Sequence, residues 1–136
     1  MIVMHGVLGN KTNWRGIVSR AKIARVRQSY LVDMRNHGDS DWHDEVTYES
    51  MAEDVVRFAD QQGLNRFTVM GHSLGGRTAM YVAGKYPDRL DGLICVDIPP
   101  VSLSNDPSFG LDAKQIFKFL VAHQGKSREE IKHLAI

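Results

Sequence analysis

A single cysteine, Cys95, stands in the 136 residues of this chain. An internal disulfide is therefore excluded, and a reducing, intracellular compartment is the expectation. Its place in the apolar run GLICV reads as a small buried strand residue and not as a reactive thiol. An excess of charge is also missing. The chain carries 17 Lys and Arg against 16 Asp and Glu, a formal charge of +1. That balance gives no reason to expect a nucleic-acid surface or a polybasic membrane patch. No apolar run approaches the length of a membrane span, and no repeat or low-complexity tract is visible. No charged leader precedes MIVMHG, so either no targeting segment is needed or the chain begins inside a longer one.

What is present is the makeup of one globular domain. The sequence is 43% hydrophobic and 24% charged, enough apolar side chain to bury a core. Short apolar runs alternate with amphipathic ones. MIVM (1–4), SYLVDM (29–34), RFTVMG (66–71) and DGLICVDI (91–98) read as strands. YESMAEDVVRFADQQ (48–62) sets Met51, Val55, Phe58, Ala59 and Gln62 on one side of a helix, with Thr47 as its cap, Glu49 in its first turn and Gly63 at its end. LGGRTAMYVAGKY (74–86) reads as a helix stopped by Pro87.

Strands alternating with helices predict a parallel α/β sheet covered on both faces, and the near-continuous GLICV predicts a strand buried on both sides. Sites on such sheets gather at the carboxyl ends of the strands. After Pro99-Pro100 the texture changes. The loop-like VSLSNDPSFG precedes two helical patterns. LDAKQIFKFLVAHQ has Asp112 as cap and Ile116, Phe117, Leu120 and Val121 on one face, and SREEIKHLAI opens with a capping-box pattern at Ser127. The expected division is a core over 1–101 and the start of a helical cap over 102–136.

The densest signal is Gly71-His72-Ser73-Leu74-Gly75, a G-x-S-x-G between an expected strand and an expected helix. A sharp strand-to-helix turn would strain the serine backbone and lift its hydroxyl clear of the sheet. Side chains at Gly71 and Gly75 would collide across the turn, and the helix N-terminus favours negative charge. A nucleophilic serine creates an oxyanion that needs donors. The Leu74 N–H is one candidate. The second is the Val7 N–H in HGVLGN (5–10), where Gly6 and Gly9 let the backbone turn inward after the first strand.

Four segments carry a resemblance: HGVLGNKTNW, DMRNHGDS, GHSLGGRTAMYVAGKYPDRL and VDIPPV, spread in this order over residues 5 to 101. With them the chain resembles the α/β-hydrolase superfamily. More narrowly it is similar to the small serine esterase and thioesterase branch that includes mitochondrial α/β-hydrolase-domain proteins and bacterial acyl-esterases. The resemblance implies a partial α/β-hydrolase fold and a small-molecule acyl ester or thioester as substrate, with no cofactor and no metal. It also implies a mitochondrial location for a eukaryotic member. Position by position it matches Ser73 to the nucleophile and Val7 and Leu74 to the oxyanion donors. It also matches Asp97, in VDIPPV, to the acid that orients a histidine. DMRNHGDS reads as a structural segment that ties loops together, without a catalytic role.

The proton acceptor is the gap. In this fold the order along the chain is serine, acid, histidine, and only His123 and His133 follow Asp97. Both lie in helical patterns and not in a loop after a strand. His5 belongs to the oxyanion segment, His37 and His43 follow the second strand, and His72 is expected to turn away from Ser73. The expectation is therefore a truncated serine hydrolase whose catalytic histidine lies outside this sequence, with exposed sheet edges and doubtful stability as a lone monomer. The rival expectation is a non-catalytic module that keeps the pocket without turnover.

Overall fold

The computed structural model describes residues 1–20, 25 and 27–99. Four strands form one parallel sheet: β1 (Ile2–Met4), β2 (Tyr30–Val32), β3 (Phe67–His72) and β4 (Leu90–Val96), in the spatial order β2-β1-β3-β4. Among the fully described segments, three helices lie between them: α1 (Thr12–Arg20), α2 (Tyr48–Gln61) and α3 (Leu74–Lys85), and a 3-10 turn at Pro87–Arg89 leads into β4. The sequence patterns give every strand and the last two helices to within a few residues. The proposed cap segment, with Asp112, His123 and His133, lies outside the described residues.

Period-two alternation sorts the strands into two cores. Ile2, Met4, Phe67 and Val69 face α2 and α3, where they pack with Met51, Val55, Ala79 and Val82. Val3 and Met70 face the other way, against Trp14 and Val18 of α1. α1 is the helix that periodicity missed. Only these two of its residues are buried, one turn apart, and Gly16 stands between them. Its start is local: the Asn10 carboxamide oxygen accepts from the Thr12 N–H at 3.0 Å. Its orientation comes from the Trp14 indole N–H, which donates to the Met4 carbonyl at 2.9 Å.

α2 begins with a full capping box. Thr47 and Ser50 exchange side-chain and backbone hydrogen bonds, both at 3.0 Å. β4 departs from expectation. Leu93 and Ile94, neighbours that point to opposite faces, are each 43% exposed. β4 is the outer strand of the described sheet, with one neighbour, so its apolar run is not covered on both sides. No helix among the described residues is long and apolar enough to cross a membrane.

The topology also locates the site. From β1 the chain moves to β2 on one side; from β3 it moves to β4 on the other. The connections therefore diverge between β1 and β3, the position where a parallel sheet opens a crevice at its carboxyl edge.

Candidate active site

Among the described residues, four non-glycine residues have positive φ: Leu8 (58°), Asn36 (62°), Ser73 (50°) and Asp97 (52°). They fall one to each loop that leaves the carboxyl edge of the sheet. Backbone of this kind costs on the order of 1–3 kcal/mol per residue and persists where the surroundings over-determine it. Ser73 is the most unusual of the four. Its ψ of −111° takes it outside the left-handed helical well as well.

The Ser73 turn is fixed from both sides. The Ser73 N–H donates to the Val96 carbonyl at 3.2 Å, and the Ser73 carbonyl accepts from the Arg77 N–H at 3.0 Å, which starts α3. A Cβ at Gly71 would overlap the Gly75 carbonyl group, as a collision across the turn requires. Gly75 has a different reason. A Cβ there would lie 2.7 Å from both the His5 carbonyl oxygen and the Met4 Cβ, so this glycine lets α3 approach the end of β1. The Gly75 N–H donates to that same His5 carbonyl at 3.2 Å.

Val7 and Leu74 stand at the start of the two diverging connections. No hydrogen bond among the described residues engages the N–H of either. Leu74 is the first residue of α3, where an N–H has no partner inside the helix. Gly6 sits between the two halves. A Cβ there would lie 2.6 Å from His72 Nδ1 and 3.5 Å from the Ser73 Cβ. Gly9 closes the loop by donating to the Gly6 carbonyl at 3.0 Å.

Asp97 follows β4 as Ser73 follows β3, and the register pairs His72 with Val96, so the two residues are neighbours across the edge. The Asp97 side chain is 88% exposed. The nearest basic side chain to it among the described residues is His72, whose Nε2 lies 3.8 Å from the carboxylate. The His72 ring stands beside Gly6 and Asp97.

A polar network that sequence motifs did not reveal holds the first two loops. His5, 1% exposed, donates from Nδ1 to the Gly6 carbonyl at 2.8 Å and accepts at Nε2 from the Met34 N–H at 3.1 Å. Burial pushes its pKa down to about 4. The buried His37 ring packs against it, 4.9 Å between centroids, and burial lowers its pKa too. His37 donates from Nδ1 to the Arg35 carbonyl at 2.9 Å.

Asp33 is the second knot. Its carboxylate, 3% exposed, takes the Lys11 ammonium at 2.8 Å, the Lys11 N–H at 2.6 Å and the Asp39 N–H at 3.0 Å. Burial alone would raise its pKa, but these donors outweigh it and hold the group below the ordinary carboxylate value. Arg35 joins the same loop to α2 through Asp54, at 2.6 and 2.9 Å. The segment DMRNHGDS does tie loops together. Its first residue, Asp33, is the centre of that role, and no spacing in the sequence marks Lys11 as its partner.

A cavity of about 300 Å³ lies elsewhere, between β2 and α2, lined by Val32, Arg35, Met51, Asp54 and Phe58 among others. None of Ser73, Val7, Leu74 or Asp97 lines it. Among the described residues, no three His, Cys, Asp or Glu side chains are grouped to hold a metal ion.

The comparisons with known proteins identify the family of this fold. A family model described as the alpha/beta hydrolase fold matches residues 1–129. The chain belongs to that family. It is 38% identical over 111 residues to a mouse protein named sn-1-specific diacylglycerol lipase, covering 81% of this chain and 36% of the mouse protein. A protein of Saccharomyces cerevisiae named probable alcohol acetyltransferase is 36% identical over 142 residues, covering 99% of this chain and 41% of its own length. The solved structure of a marine microorganism esterase is similar with a TM-score of 0.72 and 36% identity, over 97% of this chain and 51% of that one. The chain spans well under half the length of these curated relatives.

Proposed function

We propose that Ser73 is the nucleophile of a hydrolase that cleaves carboxylic esters or thioesters through an acyl-enzyme. The observation that carries this reading is the Ser73 turn: a strained serine on the N-terminus of α3, flanked by the backbone N–H groups of Val7 and Leu74, which have no partner among the described residues. Ser73 Oγ bonds to the acyl carbon as its proton passes to an imidazole. The carbonyl oxygen takes the negative charge against the Val7 and Leu74 N–H groups. The leaving alcohol or thiol departs with the proton, and water then attacks the acyl group and frees Ser73. The yeast relative's name supports an alcohol as a second acceptor for the same acyl-enzyme.

Asp97 is the acid that orients the imidazole in this reading. The imidazole is none of the described histidines. His5 and His37 are buried and bonded to backbone, His43 follows β2 on the far side of β1, and His72 belongs to the turn itself. In this reading none of the chain's six histidines serves as the base, and an intracellular setting, mitochondrial in a eukaryote, goes with the same family reading. The test is hydrolysis of a short p-nitrophenyl ester by the chain with and without added imidazole. Turnover that depends on imidazole and is lost in Ser73→Ala supports the assignment. Brisk turnover without imidazole contradicts the missing base, and turnover retained in Ser73→Ala contradicts the nucleophile.

A further inference from the structure

We propose that His5 is a positioning residue: as the Nδ1–H tautomer it fixes the Gly6–Val7 peptide so that the Val7 N–H points toward the oxyanion site. This rests on the reading of Ser73 as the nucleophile. The geometry begins with the peptide plane. The chain has no cis peptide among its described residues, so the Gly6 C=O and the Val7 N–H point in opposite directions from one rigid unit. Whatever holds the carbonyl aims the amide. The Gly6 carbonyl receives the His5 Nδ1–H at 2.8 Å and the Gly9 N–H at 3.0 Å, which uses both of its lone pairs. Turning the Val7 N–H away would break both bonds.

The tautomer is set by the partners. A carbonyl oxygen can only accept, so Nδ1 carries the proton; the Met34 N–H can only donate, so Nε2 does not. Burial opposes a second proton on the ring most strongly and the packed His37 adds to it, while the Gly6 hydrogen bond and Asp33 act the other way. The backbone of His5 serves the other half of the site. Its carbonyl takes the Gly75 N–H, one residue beyond Leu74. One buried residue therefore couples the loop that carries Val7 to the helix start that carries Leu74.

Imidazole ¹⁵N spectroscopy of the whole chain tests the tautomer without reference to activity. The expected His5 signal is a protonated Nδ1 with a bare Nε2, unchanged as the pH falls through the ordinary histidine range. An Nε2–H tautomer, or protonation in that range, overturns the proposal while leaving Ser73 labelling intact. The functional arm is the rate at which a fluorophosphonate modifies Ser73 in the presence of imidazole. His5→Leu is expected to slow it roughly tenfold or more, and His5→Asn, which keeps a donor near the Nδ1 position, to restore most of the rate. A folded His5→Leu that reacts at the parent rate overturns the proposal. Failure of the parent chain itself to react at Ser73 overturns the reading beneath it.

Discussion

The loops after β1 and β2 leave the same edge of the sheet as the loop after β4, yet they are held differently. The first two share a buried network in which His5, Asp33, Arg35 and Trp14 each bond to backbone or to a charged partner in another segment. The loop after β4 has Asp97, 88% exposed, with a 3.8 Å contact to His72, and β4 beneath it carries two half-exposed apolar side chains on opposite faces. On the proposed assignment, the oxyanion half is thus built before any substrate arrives, and the acid half depends on a single neighbouring strand. Preorganised donors are what an oxyanion site needs, because their cost has been met during folding.

The difference predicts a ranking of damage. Gly71→Ala forces a Cβ into the Gly75 carbonyl and should cost about 3 kcal/mol or more, read as a lower urea midpoint. A cost under about 1 kcal/mol would mean that the turn is looser than described. Acid should come next. The His5 pKa is lowered to about 4 from an ordinary 6.5, so the unfolded chain takes up the proton first. Stability is complete above about pH 6.5 and falls as the pH drops toward 4, by roughly 3 kcal/mol from His5 alone. His37 acts in the same direction, and Asp33, whose pKa is also lowered, adds a loss only at lower pH as its carboxylate protonates. Urea midpoints at neutral and mildly acidic pH check this, and His5→Asn should flatten the dependence.

Asp33→Asn tests the second knot. It removes the charge that the Lys11 ammonium and two backbone N–H groups meet, and should cost about 2 kcal/mol. The smallest effect belongs to the other half: Leu93→Thr on β4 should stay within about 0.5 kcal/mol. A loss above about 2 kcal/mol, the scale of a buried leucine, would show that this face is covered in solution and would erase the contrast.

The readable parts of the sequence were those where one residue type answers one local demand. Gly71, Ser73 and Gly75 announce the turn because few backbones tolerate that conformation. The strands announced themselves by apolar runs, and α2 by its stripe and cap. α1 stayed hidden because two buried side chains make too faint a stripe. The covering of β4 is not legible because an apolar run shows what a strand can bury and not what stands beside it. His5 is visible as a histidine before a glycine, but its bond to Met34 spans 29 residues, which no local pattern encodes. The Lys11–Asp33 link is hidden for the same reason.

The most direct test of the Ser73 assignment is mass spectrometry of the whole chain after reaction with a fluorophosphonate, with imidazole present as proton acceptor. The account predicts one adduct, on the tryptic peptide spanning residues 67–77, lost in Ser73→Ala while the fold survives. Equal labelling of Ser73→Ala, or no adduct on Ser73 in the folded parent, would contradict it.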